Sequence, residues 1–231
     1  RTGVVSISVD RAGERNFSFM EEPSADAFLD HSNIPEFEQG DWLCVSSFML
    51  SQRSSREATF FAIGQARAAG AVVCVDANMR IDRWDDKDLM VPTTLEALKL
   101  ADIAKVSEDE LLLLSDSASV EDGIEKARRW PAKIKIVTRA EKGAILLVEQ
   151  SQFRSGGYGV PVVDMTGAGD AFVAAFVSAL MPSDDWTDAQ LIAATEFANA
   201  CGALVVGKKG AMSALPDSDT LNSFMLEKDS E

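Results

Sequence analysis

The sequence predicts an α/β fold in which helices cover a mostly parallel central sheet. Apolar runs that suit buried strands recur at intervals of roughly thirty residues, at Trp42–Ser46, Val72–Asp76, 103–105 and Ile134–Thr138. Stretches of helical length, such as residues 54–69, separate these runs. The chain has 231 residues, 46% of them hydrophobic, so it can bury one sizeable core.

The first segment predicts a β-hairpin. Val4–Val9 alternates like a half-buried strand, and the polar stretch 10–15 contains a glycine that suits a turn. Phe17 and Phe19 then lie on one face of the returning strand, because side chains two apart share a face.

Helix boundaries follow from capping residues. Ser54 or Ser55 suits the start of the helix over 54–69, and Gly70 suits its end. A further helix over 120–130 stops before Pro131. A weaker β section and two apolar helices complete the chain, at Ala144–Val148, 152–153, 171–181 and 188–205.

Composition excludes several classes of function. The formal net charge is −15, whereas a nucleic-acid binder carries a basic face. Apolar runs are too short for a membrane span, so we expect no membrane partner. The three cysteines lie far apart and predict reduced thiols, and His31 lacks a companion at metal-ligand spacing. These features predict a cytoplasmic protein.

The chain begins with Arg1 rather than Met, and we expect some N-terminal sequence to be missing.

The strongest chemical signal lies at residues 160–170. An apolar strand is predicted over 160–163, followed by a turn through Gly167 and a helix from residue 171. A helix N-terminus offers unpaired N–H groups and a positive dipole end, which together bind an anion without a lysine. Asp170 stands at the helix start and could accept a proton from an attacking hydroxyl.

Other interpretations of this stretch stay open on spacing alone. A bare Gly-Ala-Gly-Asp is more often a tight turn followed by a helix cap. The common phosphate loops are absent from the sequence, because it has no G-x-x-x-x-G-K-[ST] and because Phe172 stands where G-x-G-x-x-G needs its last glycine.

Residues 164–170, Asp-Met-Thr-Gly-Ala-Gly-Asp, resemble the D-T-x-G-A-G-D signature of the ribokinase-like (PfkB) sugar kinases. The resemblance implies that Asp170 is the catalytic base. It also implies that the amides of Gly167, Ala168 and Gly169 hold the transferring phosphate. Met165 departs from the threonine that the family usually has.

Two further elements resemble the family at predicted strand ends. Asp76, Asn78 and Arg80 match a D-x-N-x-R element that lines the substrate side of the cleft, although an Asx turn would explain them equally. Glu110 matches an N-x-x-E element in which Ser107 replaces Asn. The resemblance implies that Glu110 organises Mg²⁺ through water, and the alternative is a capping box.

The nucleotide side is implied in the same way. Residues 138–143 resemble a T-x-G-x-x-G turn with Ala140 in place of the first glycine, and residues 199–203 resemble the adenine-side helix. The residues assigned to the nucleotide are Lys105, Thr138, Gly143, Asn199 and Gly202. With the loop 207–212, Asp164 is implied as a ligand of a potassium ion.

The resemblance covers nearly the whole chain. It implies a ribokinase-like three-layer α/β/α domain over 23–231 and the remnant of a small β lid over 1–22. It implies ATP-dependent transfer of the γ-phosphate to a hydroxymethyl group of a small sugar, with Mg²⁺ and K⁺. The residues of these motifs are most similar to those of bacterial fructokinases and aminoimidazole riboside kinases. The resemblance therefore makes fructose the expected acceptor.

Alternatives remain at this point. The acceptor could be aminoimidazole riboside or 2-keto-3-deoxygluconate, and a non-catalytic sugar- or nucleotide-sensing protein could use the same scaffold. Retention of Asp170 and of the Gly-Ala-Gly turn argues against a sensor. A homodimer through the lid, with Phe17 and Phe19 at the contact, is implied by resemblance. If N-terminal sequence is missing, we expect the 231-residue chain alone to bind sugar poorly.

Overall fold

The computed structural model describes residues 2–9, 15–20, 24–84, 86–183 and 185–228. In these residues a six-stranded sheet has the order β3-β4-β5-β6-β7-β8, and a separate antiparallel pair is formed by β1 and β2. The strands are β1 Val4–Val9, β2 Arg15–Met20, β3 Trp42–Ser46, β4 Val72–Asp76, β5 Ile103–Ser107, β6 Ile134–Thr138, β7 Ala144–Val148 and β8 Ser151–Ser155. Strands β3 to β6 run parallel, and β7 and β8 are antiparallel to their preceding neighbours.

This topology places polar residues along one edge. Because β3 to β6 are parallel, their last residues lie side by side, and the pairing aligns Ser46 with Asp76 and Ser107 with Thr138. Strand β8 also ends at this edge, where Ser155 pairs with Ala144. In open α/β sheets this edge is where ligands bind.

Helices cover both faces of the sheet, which gives the expected three-layer α/β/α architecture. They are α1 Arg53–Ala69, α2 Met90–Leu100, α3 Glu108–Ser115, α4 Val120–Ala127, α5 Ala168–Leu180, α6 Asp188–Val206 and α7 Ser218–Lys228. Helices α1 to α4 share one apolar core with alternate strand residues such as Val75 and Val106. Helices α5 to α7 share the other with Cys74 and Ile103.

Helix α6 is apolar and long enough, by length and composition alone, to cross a membrane. Its buried residues, among them Leu191, Ala198 and Val205, belong to the core beneath α5. A core helix of this kind passes the same test of length and composition.

Several predicted boundaries are confirmed and some are wrong. Strands β3, β4 and β6 have the predicted bounds, and β5 extends to Ser107. Gly70 ends α1 in the left-handed conformation. The predicted N-cap is wrong, because Gln52 stands at that position and Ser54 donates instead to the carbonyl of Leu29.

The strand predicted over 160–163 is also wrong. Val162 and Val163 are 62% and 61% exposed, and the segment joins no strand among the described residues. The backbone N–H groups of Val163 and Asp164 both donate to the carbonyl of Val206. The segment therefore docks onto the end of α6 instead of the sheet, and α5 begins at Ala168, three residues before the predicted start at 171.

The helix predicted over 120–130 ends at Ala127. The N–H groups of Arg129 and Trp130 donate to the carbonyls of Lys126 and Ala127, so the chain tightens into a turn before Pro131.

The lid prediction falls partly outside the described residues. Strands β1 and β2 form the predicted hairpin, in which Phe17 pairs with Ile7 and Phe19 with Val5. The turn at 10–14, with Gly13 and Glu14, and the boundary at residue 22 lie outside the described residues, as does Arg1.

Gly143, between β6 and β7, should be the least replaceable glycine of the nucleotide side. Its φ is +82°, and a Cβ there would stand 2.1 Å from the carbonyl oxygen of Ser155. We expect Gly143→Ala to lower the free energy of unfolding by about 2–4 kcal/mol. Gly64→Ala is the control, because a Cβ there meets open space within α1, and it should raise stability by about 0.5–1 kcal/mol. Urea denaturation measures both, and equal effects would contradict the close approach at Gly143.

Candidate active site

The turn before α5 presents backbone N–H groups to the polar edge. Gly167 is the N-cap, with φ +82° and ψ 0°, a conformation that a residue with a Cβ adopts only with strain. A Cβ at Gly167 would stand 2.7 Å from the Cβ of Ala211. The Ala168 N–H donates to the Met165 carbonyl at 3.3 Å, whereas the Gly169 and Asp170 N–H groups have no partner among the described residues. Unpaired amides at a helix start are suited to bind an anion.

Asp170 lies in the first turn of α5 and is exposed. A carboxylate is favourable there because the helix N-terminus carries partial positive charge. Its charge raises the pKa of the Asp76 carboxyl group. The structure therefore brings the predicted base close to the predicted substrate side.

A buried ion pair lies beneath this turn. Lys105 on β5 and Asp76 at the end of β4 are paired across the sheet, and their Nζ and Oδ1 atoms are 3.0 Å apart. Both side chains face α5, on the same side of the sheet as Cys74 and Ile103. The Lys105 Nζ lies 3.3 Å from the position that a Cβ on Gly169 would occupy. The ammonium group therefore adds positive charge directly under the Gly-Ala-Gly turn.

Burial raises the pKa of Asp76 from 3.8 to about 6. The charge and hydrogen bond of Lys105 oppose that rise, and the carboxylates of Glu110 and Asp170 add to it. Asp76 is thus a carboxylate held in its charged form chiefly by Lys105.

The pH dependence of stability follows from this pKa. Because the folded value exceeds the unfolded one, Asp76 contributes stability fully below about pH 3.8 and loses that contribution as the pH rises through about 6. Between about pH 7.5 and about pH 5, wild type should gain about 1 kcal/mol of unfolding free energy relative to Asp76→Asn. Urea denaturation at the two pH values measures the difference. A constant difference, or a gain by the variant at low pH, would contradict the burial of a charged Asp76.

Glu110 joins two strand ends. Its Oε1 accepts the Met79 N–H at 2.7 Å, and its Oε2 accepts the Ser107 N–H at 2.8 Å. The Ser107 hydroxyl accepts the Glu110 N–H, which completes a capping box on α3. The capping-box interpretation of Glu110 is therefore confirmed, and its role toward Mg²⁺ stays a prediction.

The loop after β4 has the Asx geometry that was the alternative for Asp76. Its Oδ1 accepts the Asn78 N–H at 3.2 Å, and Asn78 has a φ of +30°. Arg80 donates to the Met79 carbonyl at 3.1 Å and is exposed. The structure thus places all three residues of this element beside the cleft, with Asp76 buried and Arg80 at the rim.

Apart from Lys105, the predicted nucleotide residues lie at three places. Gly143 and Asn199 meet at Ser155, where the Asn199 amide donates to the Ser155 hydroxyl at 2.8 Å. Gly202 lies against the start of α5, since a Cβ there would be 3.4 Å from the Ala168 carbonyl. Thr138, at the end of β6, donates to the Val106 carbonyl. Ser155 was missed by sequence reasoning, because a serine that ends a short strand carries no motif.

Asp164 fastens the turn to the loop that follows α6. Its Oδ1 accepts both the N–H and the hydroxyl of Thr166, at 3.0 and 2.7 Å, and its Oδ2 accepts the Gly210 N–H at 2.9 Å. The carboxylate therefore holds 164–170 against 207–210. Its contact with K⁺ stays a prediction.

The acidic residues near the turn do not by themselves form a complete site for a cation such as Mg²⁺. Within the described part of the chain, no three His, Cys, Asp or Glu side chains converge on one metal position. Mg²⁺ is commonly bound by one or two carboxylates together with substrate phosphates and water. The exposed Asp170 fits that mode of binding, whereas both oxygens of Glu110 already accept backbone N–H groups and Asp76 is paired with Lys105.

Comparison with known proteins places these observations in a family. A model described as pfkB family carbohydrate kinase matches residues 1–218. A fructokinase of Vibrio alginolyticus is 39% identical over 97% of this chain and 74% of its own length. An aminoimidazole riboside kinase of Salmonella typhimurium is 36% identical over 97% of this chain and 70% of its own.

Two solved structures of such kinases are similar to this chain in fold as well as in sequence. A double mutant of fructokinase from Vibrio cholerae, bound to fructose, ADP and a potassium ion, is 40% identical with a TM-score of 0.92, over 97% of this chain and 73% of that one. Aminoimidazole riboside kinase from Salmonella enterica, complexed with aminoimidazole riboside and an ATP analog, is 36% identical with a TM-score of 0.86, over 90% and 70%.

Proposed function

The chain belongs to the pfkB family of carbohydrate kinases, and from that premise we propose that it transfers the γ-phosphate of ATP to a hydroxymethyl group of fructose. The observation that carries the choice of acceptor is the similarity to the Vibrio cholerae fructokinase that holds fructose, ADP and potassium. Phosphoryl transfer needs little covalent chemistry from the protein, so catalysis consists mainly of positioning and charge stabilisation.

The Gly-Ala-Gly turn is proposed to hold the transferring phosphate. The free N–H groups of Gly169 and Asp170 and the positive end of α5 favour an anion at this point. Lys105 lies close beneath Gly169 and supplies a full positive charge that stabilises the charge developing on the phosphate oxygens. A chain with a net charge of −15 can in this way bind a nucleotide locally.

Asp170 is proposed as the base that accepts the proton of the sugar hydroxyl. It is exposed at the cleft, as a group that contacts substrate must be. The paired, buried Asp76 is less suited to that role, because its carboxylate is engaged by Lys105 and by the Asn78 N–H. We assign Asp76, Asn78 and Arg80 to the sugar side of the cleft.

The nucleotide is proposed to lie across the ends of β6 and β8. Thr138 and Gly143 form the turn on one side, and Asn199 and Gly202 on α6 form the other. Mg²⁺, when bound with ATP, would neutralise charge on the β- and γ-phosphates. Glu110 would orient its water ligands, and Asp164 would contribute to a potassium site beside the turn.

Aminoimidazole riboside is the second candidate acceptor. The observation that favours it is the 36% identity to the Salmonella kinase that acts on it, only slightly below the identity to the fructokinases. Both acceptors present a hydroxymethyl group, so the proposed machinery would serve either.

We also infer that the protein is cytoplasmic and that two copies form a homodimer through the β1–β2 hairpin. Cys44, Cys74 and Cys201 are free thiols, which suits a reducing compartment. Phe17 and Phe19 of β2 would lie at the contact. Sedimentation of a variant in which Phe17 and Phe19 are both replaced by serine tests the dimer. A variant that remains dimeric would contradict this contact.

An ADP-release assay on the purified full-length protein tests the proposed function. With MgATP and potassium present, it compares fructose, aminoimidazole riboside, ribose and 2-keto-3-deoxygluconate. We expect the highest kcat/KM for fructose. A higher value for another acceptor would change the substrate and keep the mechanism, whereas ATP binding without turnover of any acceptor would favour a sensing protein.

A further inference from the structure

A second cavity opens at the opposite edge of the sheet, where the parallel strands begin. We call it the rear cavity. Its volume is about 830 Å³, and its wall includes the first residues of β4 and β6, Val72 and Ile134, and the last residue of β7, Val148. The polar edge that carries Asp76 and Thr138 lies at the other end of the same strands.

Lys135 is the unusual residue of the rear cavity. It is the second residue of β6, between Ala104 and Leu147 of the neighbouring strands, on a face that is otherwise apolar. Only 5% of the residue is exposed. Its ammonium group has no hydrogen bond or ion pair with any residue that the structure describes. The stem of Lys135 is buried, and its ammonium group is open to the cavity, where a ligand can reach it.

The described surroundings of Lys135 supply no counter-charge. Burial and the charge of Arg128 both lower the pKa of Lys135, so its neighbour repels it. Arg128 itself is occupied, since it donates to the Glu125 carboxylate at 3.0 Å and to the Gln152 side chain at 2.9 Å. Asp102 lines the cavity too, but its oxygens accept the Val73 N–H and lie 3.7 Å from the exposed Lys133.

The lining as a whole favours an anion over a cation. Its basic side chains are Arg67, Arg128, Lys133 and Lys135, and its acidic ones are Asp102, Glu149 and Asp185. A net positive lining is notable in a chain whose net charge is −15. Trp130 and Trp186 add apolar surface to the wall, and the volume exceeds what a bare ion fills.

We propose that the rear cavity binds a phosphate monoester, with the Lys135 ammonium group as the counter-charge of its phosphate and the two tryptophans against its organic part. Binding would give this ammonium group the partner that the described residues do not supply. Because the rear cavity and the Gly167 turn lie at opposite ends of the strands, both sites can be filled at once. The proposal stands whether or not the protein phosphorylates fructose.

Thermal unfolding tests the role of Lys135. Inorganic phosphate at ten times its dissociation constant should raise the melting temperature of wild type by about 3–6 °C. In Lys135→Met, the share of this increase in melting temperature that comes from phosphate bound in the rear cavity should be absent. Without phosphate, Lys135→Met should melt at about the wild-type temperature, because methionine fills the space of the buried stem and no hydrogen bond or ion pair is lost. Lys99→Met, which removes an exposed lysine from α2, should respond like wild type. Equal phosphate responses in all three proteins would overturn the proposal.

Indole N–H resonances in ¹H–¹⁵N NMR spectra locate the ligand. Phosphate, fructose 6-phosphate and AMP are titrated separately, with neutral fructose as control. We expect the Trp130 and Trp186 signals to shift and the signal of Trp84, which does not line the rear cavity, to stay. The ligand that saturates at the lowest concentration identifies its source as a free anion, a sugar phosphate or a nucleotide. Shifts at Trp130 and Trp186 that appear equally with fructose, or with none of the phosphates, would overturn the proposal.

Discussion

We expect Asp170→Asn to lose about 10²- to 10⁴-fold of the wild-type kcat, because that is the usual effect of removing a positioned base. Asparagine keeps the size and the hydrogen-bonding capacity of the side chain in the first turn of α5 but cannot accept the proton of the sugar hydroxyl. Since Asp170 is exposed, its replacement should leave the fold intact. Steady-state kinetics with MgATP and saturating acceptor measure the loss, and the melting temperature checks the fold.

Asp188→Asn is the matched control for that variant. Asp188 also lies in the first turn of an apolar helix and is exposed, but α6 begins at the edge away from the cleft. It removes the same favourable charge–dipole interaction, worth about 0.3–1 kcal/mol, without touching the site. The assignment of Asp170 as the base would be wrong if both variants kept the wild-type kcat, or if both lost it equally.

The second large effect should come from Lys105→Met. This change leaves the Asp76 carboxylate buried without its counter-charge, and breaking a buried ion pair in this way costs about 3–5 kcal/mol at neutral pH. Activity should fall as well, because the same ammonium lies beneath Gly169. Denaturant unfolding measures the stability, and kcat/KM for ATP measures the effect on the phosphate site.

Two controls separate charge from packing in this experiment. The double variant Lys105→Met/Asp76→Asn removes the unpaired charge and should recover much of the lost stability but not the activity. Lys135→Met makes the same substitution on the next strand, where the lysine has no partner, and should not destabilise the protein. A stability loss that is the same in the single and the double variant would show that the pair contributes packing alone.

The sheet was predictable from the sequence because its central parallel strands β4, β5 and β6 are buried on both faces. Such strands appear as short apolar runs with polar residues at their ends, and β3, β4 and β6 match those runs residue for residue. The segment 160–163 has the same apolar composition but is not a strand. Its N–H groups are satisfied by the end of α6, a tertiary contact that local pattern does not reveal.

The site was predictable in its parts and not in its connections. The motif residues could be named, since glycine turns and strand-end carboxylates leave a sequence signal. The contact of Lys105 with Asp76 depends on the register of β4 and β5, and that of Asn199 with Ser155 depends on how α6 packs against β8. Lys135 gave no signal at all, because a lysine within a strand looks like a solvent-facing position until its burial is known.

The most direct test of the central claim is to identify the phosphorylated product. The protein is incubated with MgATP, potassium and ¹³C-labelled fructose, and the mixture is followed by ³¹P and ¹³C NMR, with Asp170→Asn in parallel. We predict a phosphate monoester signal coupled to a hydroxymethyl carbon of fructose, formed in step with ADP and absent from the variant. ADP formation with inorganic phosphate alone, or a fructose phosphate formed equally by Asp170→Asn, would contradict the claim that this edge of the sheet transfers phosphate to the sugar.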